Sequence, residues 1–305
     1  MSIFKEYDIR GIYGTELTDA LAYDIGRAVA TFLACKRVAV GRDVRPHSEP
    51  LFRELALGLT EAGCDVLDLG WCSTPESYFG NATLGCDAGV MITASHNAKE
   101  YNGFKLSRAH AMPISGATGI KEIGALCETK AFSPKAATPG KIIACDIAAA
   151  YRTHVQKLAK LARPLHIAAD FANGMGISEA RAFAGLPITM DTLYGEFDGS
   201  FPNHEGNPLH HETLRDLQAM MRQKRYDFGV AFDGDADRAG FLDEHGEIIP
   251  MDMATALMAQ EILATHPGGT VFYDLRSSWA VKEAIAAAGG TPMMSRVGHA
   301  FIKQQ

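Results

Sequence analysis

Short apolar runs closed by glycine or aspartate alternate along this chain with longer stretches whose apolar residues recur every three or four positions. The first pattern suits strands buried on both faces and the second suits amphipathic helices, so the chain reads as α/β with largely parallel sheets. In a first block, Arg37–Gly41 (RVAVG) predicts a strand, LFRELALGLTEAG a helix stopped by its glycine, and CDVLDLG a second strand. A turn and a short helix follow, and then AGVMITAS predicts a third strand. A second block repeats the outline: LHIAAD is a strand, NGMG opens a helix through ISEARAFAG, and LPITMDTLY holds the next strand. The loop GEFDGSFPNHEGNP and the helix HETLRDLQAMMRQK then lead to YDFGVAFDGDADR, which holds the third strand.

In both blocks the third strand runs into the loop richest in chemistry, TASHN in one and FDGDADR in the other. A third block starts alike, with the strand GTVFYDLRSS, the helix WAVKEAIAAAGG and the strand and turn TPMMSRVGHAFIK, and the chain stops before its counterpart loop. The expectation is a low-similarity structural repeat in a molecule cut short.

Composition narrows the function. A chain of 305 residues with 47% hydrophobic and 21% charged residues has the make-up of a globular protein of about two domains. Its net charge of -7 argues against a general nucleic-acid or anionic-membrane binder, since both need basic surfaces. The six cysteines contain no C-x-x-C pair and read as reduced, buried residues. With no apolar leader at the start and no run of roughly 18 apolar residues, a cytoplasmic location is expected.

Asp233, Asp235 and Asp237 alternate directly after the strand FGVAF. Three carboxylates that close raise one another's pKa, and a hard cation such as Mg²⁺ with oxygen ligands relieves the repulsion. An EF-hand loop fits poorly, because Arg238 stands where a glycine is needed and a strand precedes the loop. A solvated acidic turn is the plain alternative. Ser95 also closes an apolar strand, but no GxSxG elbow surrounds it, and His96 is a poor general base because neighbours on an extended loop point apart. The stretch YNGFK reads as a tight turn centred on Asn102-Gly103 that folds Lys105 back towards Ser95, where a positive charge suits a phosphoryl group. A hydroxyl, a lysine and a metal site point to phosphoryl rather than acyl transfer.

Six segments, YDIRG, GRDVR, TASHNAKEYNGFK, DGSFPNHEGNP, FDGDADR and VGHAFIK, stand in an order that resembles the α-D-phosphohexomutase family, most of all its bacterial phosphomannomutase branch. Ala98 departs from the proline usual after SHN. The resemblance implies tandem three-layer α/β/α domains of phosphohexomutase type with mixed, mostly parallel sheets. Their expected extents are 1–140 with the phosphoserine loop, 141–248 with the metal loop, and 249–305 as a partial substrate-recognition domain, with a fourth domain absent. It implies that Ser95 carries a phosphate and that Ser95, Asp233, Asp235 and Asp237 hold one Mg²⁺. Arg10, Lys105, His96 and Arg238 would surround the transferring group, while Tyr7, Arg276 and His299 would face the sugar.

The implied reaction interconverts mannose 6-phosphate and mannose 1-phosphate through a hexose 1,6-bisphosphate, which also serves as activator. A phosphoglucomutase or dual-specificity enzyme is the alternative, and monomer and homodimer both stay open. The residues themselves also allow a metal-dependent phosphatase with an aspartyl intermediate, or an inactive fragment that binds sugar phosphate and Mg²⁺. Plainer fates exist for two residues: Arg10 could pair with Asp8 or Asp43, and His299 could be a satisfied turn histidine.

Overall fold

The computed structural model describes residues 3–298 and Ile302. The first unit runs β1 (Ile9–Ile12), α1 (Asp19–Leu33), β2 (Arg37–Arg42), α2 (Ser48–Glu61), β3 (Asp65–Trp71), α3 (Thr74–Thr83), β4 (Ala88–Ile92), β5 (Tyr101–Arg108), α4 (Lys121–Thr129) and β6 (Ile142–Ala144). The second runs α5 (Ala148–Gln156), β7 (Leu165–Asp170), α6 (Gly176–Ala182), β8 (Ile188–Leu193), α7 (Arg215–Met221), β9 (Phe228–Phe232), β10 (Ala239–Leu242) and β11 (Ile248–Ile249). The third holds α8 (Met251–Thr265), β12 (Thr270–Asp274), α9 (Trp279–Ala287) and β13 (Thr291–Ser295).

The repeat inferred from the hydrophobic pattern is present in the topology. The first sheet has the order β1-β5-β4-β2-β3-β6 and the second β11-β10-β9-β7-β8. In each, a central strand (β2 or β7) has parallel neighbours on both sides, and the third strand of the unit (β4 or β9) turns into an antiparallel partner, β5 or β10. Reversal of strand order beside the central strand opens a crevice at the carboxyl ends, which is where such sheets bind ligands. β12 and β13 pair in parallel, as the third block predicts.

Burial explains the uninterrupted apolar runs. Val38 and Val40 of β2 face a core built with Ile25, Leu51, Leu55 and Leu59 from α1 and α2. The intervening Ala39 faces a second core with Leu67, Leu69, Met91 and Ile147. Alternate residues of one strand therefore enter two cores, and no polar face is left to mark the alternation. All six cysteines are free, with Cys145 half-buried and the others buried.

One expectation changes. The hairpin predicted around YNGFK exists, but its turn is formed by residues 95–100. Asn102 and Gly103 lie inside β5, where they pair with Gly11 and Arg10 of β1. The Asn-Gly turn signal is overridden because β1 adds to the sheet edge along that segment. β6 pairs with β3 at the far edge of the first sheet.

Candidate active site

The β4–β5 and β9–β10 loops meet between the first two units. Ser95 is 1% exposed and has a left-handed backbone, with φ 53°. Its amide donates to Thr93 Oγ1 at 2.8 Å, and its hydroxyl donates to Asp233 Oδ2 at 2.7 Å. The second loop closes on itself, since Ala236 N donates to the Asp233 carbonyl at 3.0 Å and Arg238 N to Asp233 Oδ1 at 3.1 Å. Between these two loops there is no room for a side chain at Gly234, where a Cβ would lie 2.6 Å from the Ser95 carbonyl.

Oxygens of Asp233, Asp235 and Asp237 lie within 4.8 Å of one another. Lys105 faces them, at 2.5 Å from Asp235 Oδ2 and 2.5 Å from Asp237 Oδ2, and Arg238 Nε lies 3.8 Å from Asp237 Oδ1. Burial alone would raise the Asp235 pKa, but the ammonium outweighs it and keeps that carboxyl below its usual value. Asp233 has no such cation on it, so burial and its two acidic neighbours push it well above the carboxylate range. Burial would also lower Lys105, yet Asp235 and Asp237 hold it above its ordinary value.

Donor chemistry fits a hard cation here. The set is all oxygen, and the buried Asp235 Oδ1 has no hydrogen-bond partner. An orphaned carboxylate oxygen inside a protein costs about 1–3 kcal/mol or more, which a ligand aimed at it would remove.

Cations collect at the mouth of Ser95. Arg10 pairs with Asp8, one of the two partners the sequence suggested, and also donates to Asn97 Oδ1 at 2.6 Å. Arg238 donates to His96 Nδ1 at 2.8 Å. Burial, with Arg238 and Arg10 beside it, brings the His96 pKa down to about 4. His96 Nδ1 also lies 3.3 Å from Ser95 Oγ, although the sequence reading had the two residues pointing apart. The left-handed turn at Ser95 breaks the strand alternation behind that reading. With Nδ1 accepting from Arg238, the serine proton is directed to Asp233 and the imidazole stays neutral.

Ser95, His96, Arg10, Arg238, Lys105 and the three aspartates are thus brought together. Lys105 differs from expectation in its partner: it bonds the aspartates rather than the serine loop. Tyr7 donates to the Val297 carbonyl at 3.1 Å, linking the first unit to the third. Arg276 is exposed and its guanidinium is held by Asp274 at 2.6 Å. His299 lies outside the described residues.

Two residues with no role in the sequence reading join this network. Thr74, at the start of α3, donates its hydroxyl to Asp235 Oδ2 at 2.5 Å and its amide to the Asp235 carbonyl at 2.9 Å. Ser73 and Glu76 form the capping box of that helix, a pattern visible in STPE, but its docking on a residue far along the chain is not visible there. Arg45, the last residue of GRDVR, bonds backbone carbonyls of the serine loop.

Comparison with known proteins places the chain in a family. Residues 1–134, 149–246 and 250–305 match, in order, the family models for phosphoglucomutase/phosphomannomutase alpha/beta/alpha domains I, II and III. A phosphomannomutase of Escherichia coli is 40% identical over 315 residues, covering 100% of this chain and 69% of that protein. A phosphoglucomutase of Neisseria gonorrhoeae is 41% identical over 309 residues, covering 99% of this chain and 66% of that protein. The crystal structure of a phosphoglucomutase/phosphomannomutase family protein from Burkholderia thailandensis superposes with a TM-score of 0.93 at 34% identity, covering 99% of this chain and 68% of that one. The chain therefore belongs to the phosphoglucomutase/phosphomannomutase family of phosphohexomutases, isomerases that work as intramolecular phosphotransferases.

Proposed function

We propose that the chain acts as a phosphomannomutase, interconverting mannose 6-phosphate and mannose 1-phosphate with Ser95 as the phosphoryl carrier. The observation that carries this reading is the Ser95 hydroxyl, buried and 2.7 Å from Asp233 at the meeting of an acidic cluster and a group of cations. A phosphoryl group on Ser95 Oγ would meet Arg10, Arg238 and neutral His96 on one side and the aspartates on the other. As the Oγ–P bond breaks and a sugar hydroxyl oxygen bonds to phosphorus, the hydroxyl proton passes to the departing Ser95 oxygen, and those guanidinium groups offset charge on the equatorial oxygens. The hexose 1,6-bisphosphate so formed turns round and returns its other phosphoryl group to Ser95. The serine needs no strong base in the forward step, because it enters the reaction already phosphorylated.

Asp233, Asp235 and Asp237, with a phosphate oxygen on Ser95, would hold Mg²⁺. Bound there, the ion withdraws charge from the transferring group. Lys105, already on Asp235 and Asp237, keeps the acidic loop from repelling itself. Tyr7, Arg276 and His299 would contact the sugar phosphate, across units with approximate extents 1–140, 141–248 and 249–305. A phosphoglucomutase activity is the second reading, favoured by the similarity to the Neisseria phosphoglucomutase.

The test is intact mass of the purified chain after incubation with glucose 1,6-bisphosphate and Mg²⁺, with Ser95→Ala as the control. One phosphoryl adduct mapping to Ser95 and missing from the variant is expected. An adduct on an aspartate would favour a phosphatase, and no adduct under any condition would leave only a binding module. Comparing kcat/KM for mannose and glucose 6-phosphates then decides the sugar.

A further inference from the structure

Arg45 follows β2, and its side chain is completely buried. Its Nη1 donates to the carbonyls of Ala98 at 2.7 Å and Tyr101 at 3.0 Å. Its Nη2 donates to those of Ser95 at 3.0 Å and Asn97 at 2.7 Å. The remaining donor, Nε, meets Asp43 Oδ2 at 3.2 Å. A guanidinium has five N–H donors in a planar fork, and all are engaged. Three of the five go to the backbone of one short loop, the loop that holds Ser95 at φ 53°, and a fourth to Tyr101 at the head of β5. Asp43 is itself fixed by Ser48 Oγ at 2.6 Å and the Arg45 amide at 3.1 Å.

The second unit closes on the same arginine. The Phe201 ring lies 5.0 Å from the Arg45 Cζ, within the range of a cation–π contact. Two residues earlier, a Cβ on Gly199 would stand 2.1 Å from the Val44 carbonyl and 2.5 Å from the Arg45 Cα, so the backbones touch there. Both residues belong to the DGSFPNHEGNP segment, which has no part in the mechanism above.

We infer that Arg45 is a positioning residue for Ser95: its guanidinium sets the carbonyls of the serine loop, and Phe201 of the second unit closes over it. Placement of the hydroxyl then depends on docking of the two units as well as on the first unit alone. The inference rests on the reading of Ser95 as the phosphoryl carrier.

The experiment uses the full chain with Mg²⁺ and measures the rate at which glucose 1,6-bisphosphate phosphorylates Ser95, by quenched samples and intact mass, alongside Tm. A side chain displaced by about 1 Å costs on the order of 100-fold in rate, and Arg45→Lys, which keeps the charge and loses the fork, is expected to slow labelling by about that factor. The half-saturating bisphosphate concentration should stay unchanged. Phe201→Leu keeps apolar bulk and removes the ring face; it is expected to slow labelling by roughly 10-fold with little change in Tm. Rates that fall only in proportion to the unfolded fraction would mark Arg45 as structural and overturn the inference. Should Arg45→Lys fail to fold, Phe201→Leu decides: a slowed rate at retained Tm supports the inference, and a wild-type rate overturns it. No label on the wild-type chain would remove the reading of Ser95 as carrier, and this inference with it, whereas a labelled wild type with unaffected variants removes this inference alone.

Discussion

The β4–β5 and β9–β10 loops occupy the same topological slot in two units built alike, yet they are held in different ways. The acidic loop is short and ties itself: Asp233 accepts from Arg238 N and Ala236 N, and Ala236 takes a left-handed turn. The serine loop has turn bonds too, from Asn97 N to the Ala94 carbonyl and from Tyr101 N to the Ala98 carbonyl, but a side chain from elsewhere is added to them: Arg45 reaches in from the end of β2 to gather its carbonyls. The two also carry opposite charge. One loop brings three carboxylates; the other comes with Arg10 and, from its returning strand, Lys105. Equal topology thus supplies two platforms at sheet switch points, and sequence makes them complementary, so that the reacting hydroxyl is completed by a neighbour on another unit.

Breaking the charge contact should produce the largest effect. Lys105→Met leaves Asp235 and Asp237 without their ammonium, and removing one member of a buried pair costs about 3–5 kcal/mol. Denaturant unfolding reads this directly. Added Mg²⁺ should restore part of the loss, and a variant as stable as wild type without Mg²⁺ would mean that the acidic loop needs no counter-charge.

A smaller loss is expected at α3. Thr74→Val removes the hydroxyl that donates to Asp235 and should cost about 1.5–3 kcal/mol, whereas Thr74→Ser keeps the bond and most of the stability. Mg²⁺ titration of Thr74→Val, followed by calorimetry, should show weaker binding. Equal behaviour of the Val and Ser variants would mean that the contact does not support the loop.

The smallest effect tests the interface away from both loops. Glu179 of α6 accepts from Ser73 and Tyr151, close to Glu76, and burial raises the pKa of both glutamates. The folded chain therefore keeps protons that the unfolded chain releases above about pH 4.3. Their contribution is complete below that pH and is lost as pH rises through the folded values. Glu179→Gln should flatten the fall of Tm as pH rises above about 4.3; an unchanged slope would show that this pair does not tune docking of the units.

Much of this was legible in the sequence because it depends on local periodicity. Strands buried on both faces, glycine-stopped helices and the repeated block follow from apolar spacing alone, and the aspartate cluster follows from three acids at a strand end. The sequence failed where long-range pairing overrode a local signal. Asn102-Gly103 has the chemistry of a turn, and β1 drew it into a strand. Alternation along an extended loop points Ser95 and His96 apart, but the left-handed turn at Ser95 brings Oγ and Nδ1 within 3.3 Å.

The sequence by itself determined which groups are present: a serine and three aspartates, each following a strand it could name, and the cations that match them. Only the tertiary structure decided who faces whom. It set Lys105 on the acids rather than the serine, Thr74 on Asp235, and Arg45 under the serine loop with Phe201 across it. Hydrophobic spacing is read over a few neighbouring residues, whereas a buried charge takes the partner that folding brings to it, from any distance along the chain.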